Sequence, residues 1–447
     1  MKKSYEMDMC SGPLLGKILV YAIPLMLSGI LQLLFNAADV IVVGRFAGHE
    51  SLAAVGSTSA LINLLINVFI GLSIGANVLV AQYFGAGKEK EVQDTVHTAI
   101  TISLICGLAL VFLGIFAAGP LLKIMGTPDD VLEKAILYMR VYFTGMPVLM
   151  LYNFGAAILR AVGDTKRPLY FLIAAGVVNV ILNLGFVILL HMGVAGVALA
   201  TVLSQCISAV LVCRCLMKSD SAYRLDLSRL GVRWRTLKRI AQIGLPAGFQ
   251  GAVFSVSNVL IQSSINAFDS VAMAGSTASA NLEGFVYNAM NAVHQTNLSF
   301  TSQNLGGGKF ERINRILLLC LGVVTVVGVV MGGGFVLLGP QLLRIYSSDP
   351  EVIRFGMVRL TIICGMYFIC GWMDVLVGSL RGLGSSVIPM FVSLAGACGL
   401  RIVWIFTVFQ WHHSLNVLYL SYPVTWVVTA AAHLICFMMI RRKFPAR

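Results

Sequence analysis

The stretch A-Q-Y-F-G-A-G-K, Ala81 to Lys88, returns as S-Q-N-L-G-G-G-K, Ser302 to Lys309, 221 residues further along the chain. Each copy is a short glycine-rich break between long apolar runs. Neither is a phosphate loop, because G-A-G-K lacks the six-residue spacing and the following Ser or Thr that cradle a phosphate. Both read as turns. The same register holds outward in both directions: Pro24 pairs with Pro246, Pro120 with Pro340, Pro128 with Pro350 and Pro168 with Pro389, at separations of 220 to 222. L-R-A-V-G from Leu159 likewise maps onto L-R-G-L-G from Leu380. Chance recurrence of Pro and Gly at helix ends does not keep one register along a whole chain, so the sequence is a tandem duplication.

Hydrophobic residues make up 58% of the 447 positions and charged residues 11%, against about 25% charged in ordinary soluble domains. That balance belongs to an integral membrane protein. A hydrocarbon core of ~30 Å takes roughly 20 apolar residues to cross as a helix. Segments of that kind are separated by breaks near Gly44, Gly85, Pro120, Arg160, His191, Lys218, Phe268, Gly306, Pro340, Arg381 and His412, which gives twelve spans. The expected fold is all-α, with twelve transmembrane helices in two parallel six-helix repeats. Six is even, so the second copy enters the membrane in the same sense as the first, with a pseudo-twofold along the membrane normal and a central cleft between lobes. The domain boundaries follow: an N-terminal lobe over 1–218, a basic cytoplasmic linker over 219–239 and a C-terminal lobe over 240–447.

The formal charge of +13 raises the question of where the cations sit. With both termini cytoplasmic, 24 Lys and Arg fall inside and seven outside, Arg359 among the seven, while Arg401 lies within a span. This excess orients the protein by the positive-inside rule and explains the net charge without nucleic acid or another anionic partner. Lys2 and Lys3 precede Glu6 and Asp8 and an apolar run too long for a secretory h-region. The expected location is the plasma or inner membrane, as a multi-pass monomer whose partner is the lipid bilayer. The cysteines are scattered through apolar runs, as at Cys106, Cys320 and Cys398, and read as small hydrophobes.

An ionisable side chain at bilayer depth costs at least ~2.5 kcal/mol on insertion scales, so each one needs a partner or a function. Gln32, Asn36 and Asp39 fall at i, i+4 and i+7 on one face of the first span. Asn179 and Asn183 are one turn apart on the fifth, and Thr201 lies at similar depth on the sixth. These four, Asp39, Asn179, Asn183 and Thr201, form a candidate cation site: oxygen ligands suit Na⁺, while a single partly desolvated carboxylate suits H⁺. In the second half Glu283, Asp374 and Arg401 are intramembrane, and the economical reading pairs Arg401 with Glu283 or Asp374 as a structural or gating ion pair, the alternative being direct contact with substrate, for which Glu283 is a cleft candidate. Asn281, Asn288, Asn291 and Gln295 make a polar stripe on the eighth span, read with Gln32 and Asn36 as cleft-lining substrate contacts. No His/Cys spacing suits a metal, His412-His413 being an adjacent pair in an outer turn. No cofactor is expected, and no metal beyond Na⁺ at the Asp39 cluster.

The motifs I-P-L-M-L-S-G-I from Ile23, A-D-V-I-V-V-G-R-F at the end of the first span, L-A-A-V-G from Leu52, A-Q-Y-F-G-A-G-K and L-R-A-V-G-D-T-K-R-P from Leu159 resemble those of the multidrug and toxic compound extrusion (MATE) family, prokaryotic branch. The resemblance covers nearly the whole chain. It implies V-shaped lobes, alternating access, and export of small cationic or amphipathic molecules in exchange for Na⁺ or H⁺, with the family's N-lobe cation site at Asp39, Asn179, Asn183 and Thr201. Where many members carry a second acid this chain has Asn183, leaving one formal negative charge. Branches with an acid on the seventh span have no counterpart among Gln250, Phe254, Asn258 and Gln262. The alternative within the superfamily, a lipid-linked oligosaccharide flippase, calls for a cleft rich in basic residues. An integral-membrane enzyme calls for paired acids or metal ligands, and the chain is expected not to be an enzyme.

Overall fold

The structure, a computed structural model, describes residues 5–265 and 268–445; the terminal cations Lys2, Lys3 and Arg447 counted above lie outside them. Twelve long helical segments follow one another: α1 (Leu14–Ala47), α2 (His49–Gly85), α3 (Glu89–Ile124), α4 (Asp129–Thr144 with Met146–Ala161), α5 (Lys166–Leu189), α6 (Gly193–Met217), α7 (Trp234–Ile265), α8 (Ser270–Gly306), α9 (Phe310–Leu337), α10 (Pro350–Gly365 with Tyr367–Gly382), α11 (Val387–Trp411) and α12 (Leu415–Arg441). Among the described residues nine are individually long and apolar enough to cross a membrane, and α4 and α10 are pairs bent by 49° and 44° that bring the number to eleven. Exposed Phe112, Phe116, Val326 and Val330 on α3 and α9 would be a liability in water and are the surface that lipid tails cover.

The twelfth segment, α8, is the least apolar of these long helices. Ser276, Ser279, Glu283, His294, Asn297 and Gln303 are all buried in it. Such groups are tolerated at membrane depth only when they face protein and are hydrogen-bonded. Here they are: Asn297 Nδ2 donates to the Val375 carbonyl at 2.6 Å, Ser302 to the Leu298 carbonyl at 2.7 Å, and the His294 ring meets the Asp374 carbonyl at 2.5 Å. α8 packs against α9, α10 and its own unit's core instead of lipid.

The duplication is written into the backbone. Gly87 and Gly308, 221 residues apart, both adopt φ +67°, a left-handed conformation that glycine takes without a Cβ penalty. A Cβ on Gly107 would lie 2.3 Å from Pro147 Cα, and one on Gly328, 221 further on, 2.8 Å from Phe368 Cα, so the same helix pair approaches closely in each copy. Asn77 Nδ2 donates to the Ala157 carbonyl at 2.8 Å, the role Asn297 plays in the second copy. The bends of α4 and α10 fall at Gly145 and Met366, again 221 apart. Pro147 accounts for the first bend by removing a backbone donor; the second is kept without a proline.

Two compact units emerge. The first comprises the segment ending at Asp8 together with Leu31–Ala252, the second Met9–Ile30 with Val253–Arg447. The chain linker at 219–239 lies wholly in the first unit, and the first halves of α1 and α7 are exchanged about it. Within the second unit, Tyr21 of α1 donates to Ser299 Oγ at 2.9 Å and packs edge-on against Phe300 at 5.6 Å. Within the first, Gly244 of α7 meets α2, where a Cβ would lie 2.6 Å from Leu72 Cα. The linker is fastened to α3: the Asp226 N–H donates to His97 Nε2 at 3.0 Å, the Gly231 N–H to Thr101 Oγ1 at 3.0 Å, and Arg233 pairs with Asp94 at 2.8 Å. Hydrogen bonds from Ser228 hold the Asp226 carboxyl below the usual carboxylate range.

Candidate functional site

In the first unit, Gly176 has no side chain where the Phe35 ring rests: a Cβ there would sit 1.9 Å from Phe35 Cε2. That contact sets α1 against α5. One turn beyond it on α1 stands Asp39, half-buried, and on α5 stand Asn179 and Asn183, 5% and 1% exposed. Asn183 Nδ2 donates to Asp39 Oδ1 and, at 3.2 Å, to Asn179 Oδ1; Asn179 Nδ2 donates to Thr201 Oγ1 of α6 at 3.5 Å. The Thr201 hydroxyl donates in turn to the Val197 carbonyl at 3.0 Å. The four residues that the sequence places at one depth are thus one hydrogen-bonded chain ending on a carboxylate.

Two features of that chain bear on its chemistry. Asn183 Oδ1 is buried and takes no hydrogen bond, so an acceptor is left over beside the carboxylate. No Lys or Arg pairs with Asp39 among the described residues, so its charge has no fixed counter-ion. A desolvated acid with spare oxygen acceptors and no cation of its own can take up a proton or a small cation. Tyr138 and Tyr142 of α4 stand within electrostatic range of it. Two of the three helices that carry the site, α1 and α5, widen just after it into π turns at Val43–Ala47 and Gly185–Leu189, a feature frequent at functional sites in helices. Gln32 and Asn36 share the face of Asp39 and are exposed.

The second unit corrects the expected ion pair. Glu283 is held by Arg359, whose Nε and Nη2 meet its two carboxylate oxygens at 2.8 and 2.9 Å; Ser276 accepts from Arg359 Nη1 at 2.9 Å, and Ser279 donates to Glu283 Oε1 at 3.1 Å. Arg359, counted as an outer-loop cation, is therefore a buried partner on α10. The planar guanidinium matches a carboxylate in bidentate fashion and takes Glu283 away from Arg401. Arg401 instead lies 4.1 Å over the Tyr422 ring, with Nη2 3.4 Å from Thr425 Oγ1. Asp374 does not pair with it either: it stands within the field of Arg381, and its Oδ2 is buried without a hydrogen-bond partner. Along α8, Asn288, Asn291 and Gln295 are half-buried and Asn281 is exposed. Gln295 donates to Asn291 Oδ1 at 2.9 Å, and Asn288 to the Gly284 carbonyl at 2.9 Å.

Sequence reasoning missed Arg359, Ser276 and the two tyrosines near Asp39. The signal for Arg359 was its place in the apolar run V-R-L-T-I-I-C, where a cation requires a partner. Among the described residues no group of three or more His, Cys, Asp or Glu could hold a metal ion.

Comparison with known proteins agrees with this architecture. The chain is 26% identical over 419 residues to the probable multidrug resistance protein YoeA of Bacillus subtilis, covering 92% of this chain and 90% of that one. It is 26% identical over 351 residues to the FAD transporter of Shewanella oneidensis, covering 76% of each. A solved outward-facing multidrug resistance MATE family transporter of the MOP superfamily superposes with a TM-score of 0.92 over 99% of both chains at 22% identity. The MatE family model matches twice, at residues 24–185 and 246–407, in the two copies read from the prolines. Matched over both halves of its fold, the chain belongs to the MatE family of multidrug and toxic compound extrusion transporters.

Proposed function

We propose that this protein is a secondary active exporter of small amphipathic or cationic organic molecules, working by alternating access in exchange for Na⁺ or H⁺ bound at Asp39. The observation that carries the reading is the chain Thr201–Asn179–Asn183–Asp39, which ends on a carboxylate without a fixed counter-ion. Proton uptake by Asp39 removes the charge that Asn183 serves, and the amide chain behind it is then free to rearrange. A Na⁺ ion would find the Asp39 carboxylate, the amide oxygens of Asn183 and Asn179 and the Thr201 hydroxyl as oxygen ligands. The relative named for multidrug resistance supports export of small organic molecules, and the one named for FAD transport supports an organic substrate.

The excess of cations on one side supports a topology with both termini cytoplasmic in the cell membrane, and the chain acts as a monomer without cofactor or nucleic acid. Gln32, Asn36, Asn288, Asn291 and Gln295 supply polar contacts to substrate. The test is efflux of ethidium from vesicles containing the purified protein, under imposed Na⁺ or pH gradients. Efflux above protein-free vesicles with either gradient is expected; none with both would contradict the proposal.

A further inference from the structure

The second unit contains two buried arginines with opposite fates. Arg359 is bound at all three nitrogens, two of them by Glu283. Arg401, 3% exposed, has an aromatic face and one long contact to Thr425, and its Nε takes no hydrogen bond. No carboxylate pairs with it among the described residues. A buried guanidinium without an anion is costly unless something supplies the missing charge.

The repeat shows where that guanidinium sits. At the family match's own offset of 222, Asn179 maps onto Arg401 and Asp39 onto Ile261. Thr201 maps onto Tyr422 at 221. The one-residue difference has a structural source: α11 carries a π turn, Leu394–Gly399, ending two residues before Arg401, and a widened turn accommodates an extra residue. Arg401 and Tyr422 therefore occupy, on α11 and α12, the places that Asn179 and Thr201 occupy on α5 and α6. The second copy of the cation site has lost its carboxylate to isoleucine and gained a guanidinium in place of an amide. Its polarity is inverted. As at Asp39 and Asn183, a π turn lies within four residues of the polar group.

We propose that Arg401, with Thr425 and the Tyr422 ring, is a binding site for the carboxylate or phosphate group of a small organic anion. The guanidinium fork matches either group bidentately, which a lysine ammonium does not. The Thr425 hydroxyl adds a polar contact, and the half-buried Tyr422 ring lies over the guanidinium face and leaves the fork's edge to the anion. The site is separate from Asp39 and needs no gradient to be occupied, so it stands or falls independently of the exchange reaction.

The experiment is equilibrium binding to purified protein in phosphatidylcholine nanodiscs, with 1-naphthoate and 1-naphthyl phosphate as probes and neutral 1-naphthylmethanol as control. Both anions should bind saturably, at least about tenfold more tightly than the alcohol, and Arg401→Gln should abolish that preference while retaining the native melting curve. Arg401→Lys keeps the charge and loses the fork; it should lower the anion preference severalfold, and it carries the test if Arg401→Gln does not fold. Equal affinity for anions and alcohol in the wild-type protein, or an undiminished preference in the folded variants, would overturn the proposal. So would loss of probe binding on adding phosphatidylglycerol, which would assign the site to a lipid headgroup.

Discussion

At the scale of single residues, the molecule separates buried charges that are satisfied from those left open. Glu283 and Arg359 are closed: each neutralises the other and their remaining polar contacts are met. Arg359→Gln therefore leaves a buried carboxylate alone and should cost about 3–5 kcal/mol of stability, read as a lowered melting temperature, with Glu283→Gln added in the same chain recovering much of it. Asp39 is open, with one amide donor and no cation. Asn183→Ala should leave folding intact and weaken the ion dependence of efflux, because it removes that donor and the spare carbonyl beside it. The Asp39 cluster was legible because period and depth suffice: residues four and seven apart share a helical face, and counting from span ends sets the level. The partner of Glu283 was not, since 76 residues separate it from Arg359 and no local spacing links them.

At the scale of elements, the duplication does most to explain the shape of the helices. Gly87 and Gly308 hold the same left-handed turn in both copies. Replacing either by alanine should cost about 1 kcal/mol, and the two losses should be equal and additive in thermal melts, since the turns are far apart in sequence and alike in backbone. All twelve spans, α8 included, were readable from the apolar runs and their breaks, and among the described residues eleven of them are long and apolar enough in the structure to cross a membrane. What α8 did not reveal in sequence is how its polar side chains are satisfied by neighbouring helices, a property of packing that composition does not carry. The π turns were invisible for a similar reason: each adds one residue without a compositional mark, yet each lies beside a polar site.

At the scale of the whole molecule, the two copies share a backbone and differ in chemistry. The first unit holds a carboxylate at the end of an amide chain; the second holds a closed ion pair and an open guanidinium. α1 runs through both units, with Tyr21 in one and Asp39 in the other. The sequence anticipated the tandem halves and the Asp39 cluster in the first of them, but not the exchanged helix halves, because contacts rather than chain order define the units. The central claim is that transport is coupled at Asp39, and it is tested most directly by Asp39→Asn in vesicles under imposed Na⁺ and pH gradients. The substitution keeps the shape and removes the charge. The account predicts a folded protein whose ethidium efflux no longer responds to the gradient that drives the wild-type protein; efflux at the wild-type rate with unchanged ion dependence would contradict it.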